Sequence, residues 1–423
     1  MGRHPIRGDA METTPDGGPC RFCGTRLTTT FVDLGMSPLC ETFLTVDELN
    51  RMEPFYPLHT WVCGSCFLVQ LQEYVSPEEI FREYAYFSSY SDAWLEHARS
   101  YAATMIEALG LGPSSLVVEL ASNDGYLLRW FRDAGVPVLG VEPALNVAEK
   151  AVELGIPTRT EFFGEAFARS LAEEGVSADL VCGANVLAQV PDINDFVGGI
   201  RHILAPGGTV TFEFPHLQRL VEGNQFDTIY HEHFSYFSLV TTEKIFAAHG
   251  ITLVDVEELW THGGSLRVYG RHAAEAPEPT ERYRELRRRE IDLGYTDLDT
   301  YRAFTPRVER TKRRILEFLI GARDRGERVV GYGAPGKGNT LLNYCGIRTD
   351  MIEFTVDRNP YKHGRYLPGT HIPVRPVDAL YEARPDHVFI LPWNLRDEIA
   401  AQLAPVREWG ADLVVPIPEL EVF

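Results

Sequence analysis

Tyr230, Glu232 and His233 place a phenol, a carboxylate and an imidazole within four residues, beside Phe234 and Phe237. An imidazole can take or give a proton near neutral pH. A neighbouring carboxylate can fix its tautomer or hold its cation. The aromatic neighbours point to a partly dry site, where such effects grow. The competing reading is a surface turn with solvated charges. His231 and His233 also raise a metal reading, but two such histidines seldom complete a ligand set alone.

A second chemical set lies near the N-terminus. Cys20-Arg21-Phe22-Cys23 is followed forty residues after Cys23 by Cys63-Gly64-Ser65-Cys66. Each pair reads as a tight knuckle, and two knuckles make a tetrahedral site for structural Zn²⁺ at Cys20, Cys23, Cys63 and Cys66. The alternatives are disulfides or free thiols. No export signal is visible, so the thiols are expected to stay reduced and the chain to be cytoplasmic.

These residues need elements to hold them. Leu116–Leu120 reads as a short strand ending near Glu119, and Ala121-Ser122-Asn123-Asp124-Gly125 as a polar turn. A helix follows from Tyr126, then a strand over 138–141 ending at Glu142-Pro143. In such a unit the turn approaches a nucleoside and the acid accepts from ribose hydroxyls. Glu142 stands eighteen residues after Asp124. With one glycine in the turn a pyrophosphate is disfavoured, whereas S-adenosylmethionine needs no phosphate cradle. A βαβ unit without ligand is the plain alternative. Phe162 and Phe163 are candidates to flank adenine, and 178–187, through Asn185, reads as another strand with its loop.

Residues 77–109 read as helical, interrupted by a run of tyrosines and serines that includes Tyr84 and Tyr86. That run suits either a turn or a hydroxyl-lined site. His262-Gly263-Gly264 permits close backbone approach to a ligand or forms a hairpin turn. Residues 276–328 are charged and helical, and are expected to be a solvated helix pair. A second α/β unit follows. Gly331-Tyr332-Gly333-Ala334-Pro335-Gly336-Lys337 sits between a strand and a helix, and Phe354-Thr355-Val356 leads to Asp357. Alone this suggests NAD. Lys337 and the helix N-terminus suit phosphate oxygens, with Arg358, Lys362 and Arg365 nearby. Trp393 is placed to stack on a base or simply to pack.

The composition bounds these readings. With 423 residues there is room for two or three domains. The 40 basic and 60 acidic residues give a net charge of −20, which disfavours nucleic acid and anionic membrane as partners. No apolar run approaches the ~18–20 residues that span a bilayer.

Three blocks together resemble the S-adenosylmethionine-dependent sugar C-methyltransferases of deoxysugar biosynthesis, found in antibiotic pathways, the group that includes the tetronitrose C-3′-methyltransferase. They are the paired Cys-x-x-Cys, Glu119-Leu120-Ala121-Ser122-Asn123-Asp124-Gly125, and Phe226-Asp227-x-Ile229-Tyr230-x-Glu232-His233-Phe234. The resemblance runs from about residue 18 to 420. It implies an α/β chain with a zinc-binding module (18–75), a class I methyltransferase domain (76–275), a helical linker (276–327) and a C-terminal Rossmann-like domain (328–423). It implies His233 as base with Tyr230, Glu232 and Tyr84 in the site. Cofactor contacts are expected at Glu119, Ser122, Asn123, Asp124, Gly125, Glu142, Pro143, Phe162, Phe163 and Asn185. Substrate contacts are expected at Tyr86, His262, Gly263, Lys337, Arg358, Arg365 and Trp393. The expected substrate is a dTDP-linked 4-keto-deoxysugar, methylated at C3. One departure stands out. Gln189 occupies a position where the family often has histidine, and glutamine cannot titrate near pH 7. Two alternatives follow: an NAD-dependent sugar-nucleotide oxidoreductase, or a catalytically weakened sugar-nucleotide-binding homologue. Oligomeric state is not legible.

Overall fold

The structure, a computed structural model, describes residues 16–81 and 88–423. Tyr84 and Tyr86 lie outside the described residues. An antiparallel N-terminal sheet holds β1 (Thr29–Ser37), β2 (Tyr56–Val62) and β3 (Val69–Leu71). Short α1 (Pro77–Phe81) and long α2 (Asp92–Leu109) follow. Helix α2 starts where the Ser91 side chain accepts from the Trp94 N–H, and stops at left-handed Gly110.

The central sheet contains β4 (Val117–Leu120), β5 (Val138–Val141), β6 (Thr158–Arg159), β7 (Ala178–Ala184) and β8 (Leu204–Pro215). Between them run α3 (Leu128–Asp133), α4 (Leu145–Glu153), α5 (Glu165–Glu173) and α6 (Ile193–Ile203). After α7 (Leu217–Glu222) the chain crosses to the first sheet, where β9 (Ser235–Tyr236) pairs with β3. It returns through α8 (Leu239–Ala248), β10 (Ile251–Leu259) and β11 (Ser265–His272). The central order is β10-β11-β8-β7-β4-β5-β6, with β11 antiparallel to both neighbours. Strands β4, β5 and β7 are almost wholly apolar and buried, as a sheet covered on both faces requires.

Three helices lead to the C-terminal sheet: α9 (Glu281–Asp292), α10 (Leu298–Arg302) and α11 (Phe304–Asp324). The solvated helix pair expected here is corrected. Tyr283, Leu286, Tyr301, Phe304, Val308, Ile315 and Leu319 are buried, and α10 and α11 share one core with the N-terminal and C-terminal sheets. The amphipathic repeat of α11 explains this, since one apolar stripe is enough to dock a charged helix.

The C-terminal sheet has β12 (Val329–Tyr332), β13 (Thr355–Val356), β14 (Val374–Arg375), β15 (His387–Ile390), β16 (Asp412–Val415) and β17 (Glu421–Val422), in the order β14-β13-β12-β15-β16-β17. Helices α12 (Gly336–Cys345), α13 (Asp378–Ala383) and α14 (Arg396–Gln402) accompany it. Two doubly wound sheets thus each have a switch point, between β4 and β7 and between β12 and β15. Ligands bind beyond the carboxyl ends of strands at such points. Among the described residues no helix is long and apolar enough to cross a membrane.

Candidate functional site

Both switch points open onto one cavity of about 1450 Å³. Ala121, Asn123, Glu142, Pro143 and Asn185 line it from the central sheet, and Pro335, Lys337, Asp357 and Pro392 from the C-terminal sheet. Between them lies the segment Thr228–His233. A single small-molecule pocket is usually about 300–1,000 Å³, so this cavity has room for two ligands.

The segment is held by every part of the molecule. The Asn224 side chain donates to Thr311 at 2.8 Å, Gln225 to the Gly263 carbonyl at 2.8 Å, and Thr340 to the Ile229 carbonyl at 3.2 Å. The His231 Nε2–H donates to the Pro57 carbonyl at 3.2 Å, and the Phe234 N–H to the Ala188 carbonyl at 2.7 Å. His233 Nδ1 lies 3.1 Å from the Thr228 carbonyl. A carbonyl only accepts, so Nδ1 carries the hydrogen and Nε2 keeps its lone pair. The Tyr230 ring lies 4.2 Å from the His233 ring.

Burial tunes the two central groups in opposite directions. It pushes His233 down to about 4, so the imidazole is neutral at pH 7. It pushes Glu232 up to about 8, with the Glu41 carboxylate adding to the rise. Cys40 Sγ lies 3.8 Å from Glu232 Oε1. The segment therefore presents an uncharged base beside a protonated carboxylic acid. Gln189 lines the same cavity, on a 3₁₀ turn over Leu187–Gln189.

At the central sheet the turn after β4 has positive φ at Ala121, Asn123 and Gly125. Glu142 accepts from the Asn123 N–H and the Ala144 N–H, each at 2.9 Å, and so fixes the turn against the end of β5. Asn123 and Asp124 accept from the Ser88 and Ser89 backbone. The site fits a nucleoside cofactor. Glu142 borders the cavity with a further lone pair on each oxygen, and Asn185 Oδ1 is buried with no protein partner among the described residues. Phe162, 45% exposed, and Phe163 both line the cavity, and the Phe163 ring also packs edge-on against Phe196. Glu119, Ser122, Asp124 and Gly125 are buried and are not among the cavity-lining residues. Gly125 allows the turn to press on Ile156, where a Cβ would stand 2.9 Å from that side chain.

The four cysteine sulfurs lie within 4.8 Å of one another, with Cys20–Cys66 at 3.6 Å and Cys23–Cys63 at 3.5 Å. A tetrahedral Zn–S₄ centre needs sulfurs about 3.8 Å apart, given Zn–S near 2.3 Å. The set fits zinc, and these distances are far from a disulfide bond. Gln70 Nε2 donates to Cys20 Sγ at 3.1 Å and the Ser65 N–H to Cys63 Sγ at 3.4 Å. Such outer contacts orient thiolates. Among the described residues no group of metal-ligating side chains includes His231 or His233.

On the C-terminal side, several expectations change. Trp393 is buried, and its Nε1–H donates to Asp227 Oδ2 at 2.7 Å. It is a wall joining two domains, not a free stacking surface. Lys337 lines the cavity over the Trp393 ring, bonded to Asn394 Oδ1. Arg365 lines the cavity, but Arg358 does not. The start of α12, expected to hold phosphate, abuts Glu41, and a Cβ at Gly336 would stand 2.9 Å from its Oε1. Lys362 lies 3.7 Å from Glu41 and donates to the Ala334 carbonyl. Asp357 accepts from the Ala334 N–H at 2.7 Å and the Asn359 N–H at 2.8 Å. Cys40, Glu41 and Trp94 also line the cavity and were not expected, since each comes from a segment with no motif of its own.

A seven-stranded sheet with one reversed inner strand, its switch point opening onto the shared cavity, has the architecture of a class I methyltransferase. Family profiles match along the chain: a zinc binding domain over residues 20–81, a methyltransferase domain over 94–256, and a C-methyltransferase C-terminal domain over 260–418. C-methyltransferase NovU of Streptomyces niveus is 37% identical over 403 residues, covering 95% of this chain and 96% of NovU. The chain belongs to this family of three-domain C-methyltransferases. Its cofactors are S-adenosylmethionine and zinc. Among solved structures, an S-adenosylmethionine-dependent methyltransferase from Mesorhizobium loti is 17% identical, covering 42% of this chain and 99% of that one at a TM-score of 0.33. Magnesium protoporphyrin IX methyltransferase with bound SAM, from Synechocystis PCC 6803, is 17% identical, covering 42% of this chain and 78% of that one at a TM-score of 0.32.

Proposed function

We propose that this C-methyltransferase acts on C3 of a dTDP-linked 4-keto-deoxysugar, with the sugar between the two sheets. The observation that carries the reading is the neutral His233, whose Nδ1–H is tied to Thr228 and whose Nε2 is left as the base. A hydrogen beside a ketone is acidic enough for a positioned imidazole to remove. Bound at the carboxyl ends of β4, β5 and β7, S-adenosylmethionine supplies an electrophilic methyl group to the resulting carbanion. Glu142 and Asn185 would hold its polar groups there, with Phe162 against the adenine. Glu232, uncharged, can donate to a sugar oxygen without repelling the enolate. Tyr230 stands against the base, and Gln189 can donate or accept but not carry the proton. Lys337, Lys362 and Arg365 supply positive charge toward the nucleotide side. We assign residues 18–75 to the zinc module, 76–275 to the methyltransferase domain, 276–327 to the connecting helices and 328–423 to the nucleotide-facing domain.

The Gly331–Gly336 fingerprint favours this reading over NAD chemistry. Asp357, the would-be ribose acceptor, is taken up by Ala334 and Asn359, and Glu41 crowds the phosphate end of α12. The test is deuterium exchange from D₂O into a dTDP-4-keto-6-deoxyhexose without methyl donor, followed by NMR. The ketone acidifies C3 and C5 alike, so the carbon that gains deuterium, and then methyl, decides the position. Wild-type protein should exchange at C3, and His233→Ala should lose ~10²–10⁴-fold in both exchange and transfer while still binding S-adenosylhomocysteine. Full-rate exchange in His233→Ala would sink the base assignment.

A further inference from the structure

We propose that His262 is a second catalytic imidazole, an uncharged donor that binds the substrate's carbonyl oxygen across the cavity from His233. The proposal rests on the reading of the enzyme as acting on a keto sugar.

The backbone there is unusual. His262 has φ +56°, followed by Gly263 at +88° and Gly264 at +119°. A left-handed histidine is strained, and such strain persists where the surroundings over-determine it. Here they do. Gln225 holds the Gly263 carbonyl at 2.8 Å, the His216 N–H donates to the Gly264 carbonyl at 3.0 Å, and Thr261 Oγ1 donates to Glu213 at 2.9 Å. A Cβ on Gly263 would stand 3.0 Å from the Trp393 ring. The loop between β10 and β11 is thereby clamped to both domains, with one imidazole opening onto the cavity.

The surroundings favour the neutral ring. The ring is exposed to the cavity, Trp94 meets it edge-on with centroids 5.2 Å apart, and Lys337, His97 and Glu213 are the charged or titratable groups facing it, the first two disfavouring a charge on it. His262 and His233 lie close enough that a charge on His262 disfavours one on His233. A charge on one ring thus works against a charge on the other, which suits a neutral base facing a neutral donor. The position also suits the reacting carbon. Trp94 borders both His262 and the Asn123–Tyr126 side of the cavity where the cofactor fits, whereas Glu232 faces Cys40 and Glu41 on the far side. In the step proposed, His233 Nε2 takes the α-proton. The electron pair of that C–H bond moves into the enolate, whose oxygen accepts from the His262 N–H. The pair would then return to carbon and form the C–C bond to the methyl group as the sulfonium C–S bond breaks, its electron pair staying on sulfur and S-adenosylhomocysteine leaving. No bond to a heavy atom is made or broken at His262.

The test uses full-length zinc-loaded protein with the same dTDP-4-keto-6-deoxyhexose. His262→Asn tolerates left-handed φ, but its amide reaches only the Nδ1 position. His262→Gln extends an amide toward the Nε2 position. Removal of one such donor commonly costs ~10²–10³-fold in rate. His262→Asn should therefore lose exchange and transfer together by that factor, with KM, S-adenosylhomocysteine affinity and Tm held, and His262→Gln should recover part. Wild-type exchange in His262→Asn, a rise in KM with kcat unchanged, or a loss that tracks a fall in Tm would each overturn the assignment. Wild-type protein inert toward the probe would sink the keto-sugar reading as well; active wild type with an equally active His262→Asn sinks this assignment alone.

Discussion

His233 and Glu232 are adjacent in sequence, yet the fold drives their protonation apart. His233 is pushed down to about 4, so its free-base form is lost only as pH falls toward 4. Glu232 is pushed up to about 8, so its proton is lost as pH rises through 8. In the proposed roles His233 must be free and Glu232 protonated, which predicts a bell-shaped kcat/KM with limbs near these values. Glu232→Gln keeps a donor that cannot titrate, so the alkaline limb should flatten while the acid limb stays. An unmoved alkaline limb in that variant would assign it elsewhere. Stability has opposite signs for the two groups. The unfolded chain binds more protons at His233 between about 4 and 6.5, so that contribution is lost as pH falls. The native chain binds more at Glu232 between 4.5 and about 8, so that contribution is lost as pH rises.

At the scale of elements, α9 acts as a clamp. Glu290 accepts from the Leu239 and Val240 N–H groups at the start of α8, at 2.7 and 2.9 Å, and from His216 Nε2 at 2.7 Å. The side chains of both Glu290 and His216 are 0% exposed. An anion at a helix N-terminus satisfies orphan N–H groups and the helix dipole together. Glu290→Ala strands all three partners and should lower stability by about 3–5 kcal/mol, read as a lower urea midpoint. The zinc module is the other element-scale case. One Zn²⁺ per chain is expected by elemental analysis, and Cys63→Ser should lower both zinc content and Tm. Arg21, inside the first knuckle, donates to the Pro191 carbonyl at 2.7 Å and lies over the Phe234 ring. Loss of zinc should therefore reach the segment proposed to carry the base and weaken transfer; zinc-free protein with unchanged Tm and activity would refute this.

For the whole molecule, the decisive feature is that two sheets meet over one segment. Asp227 is fully buried, and burial raises it to about 6 while its bond to Trp393 pulls the other way. That bond ties the C-terminal sheet to the segment that carries the proposed base. Trp393→Phe removes the donor and leaves the carboxylate without it, a loss of about 1–3 kcal/mol. We expect KM for the sugar nucleotide to rise while affinity for S-adenosylhomocysteine holds, since the cofactor side is built from other strands. Equal losses on both sides by calorimetry would show that the two crevices are coupled more tightly than this contact implies.

Local pattern made much of this legible from sequence alone. Four cysteines in two knuckles, a strand–turn–helix ending in an acid, and a Tyr-His-Glu-His-Phe run are short-range signals, set by turn geometry and strand period. They pointed to the zinc set, to the turn at 121–125 and to the stretch at 224–238 that lines the cavity, and with the resemblance they named the family. The tertiary structure decided what depends on residues far apart. Trp393 became a wall because Asp227, 166 residues away, needed a donor in a dry site. The charged segment at 281–324 became core because its apolar stripe met two sheets at once. Glu232 became a neutral acid because the fold buries it and brings the Glu41 carboxylate, on a loop from the zinc module, toward it. Burial and long-range charge have no sequence period, so only the folded chain could set them.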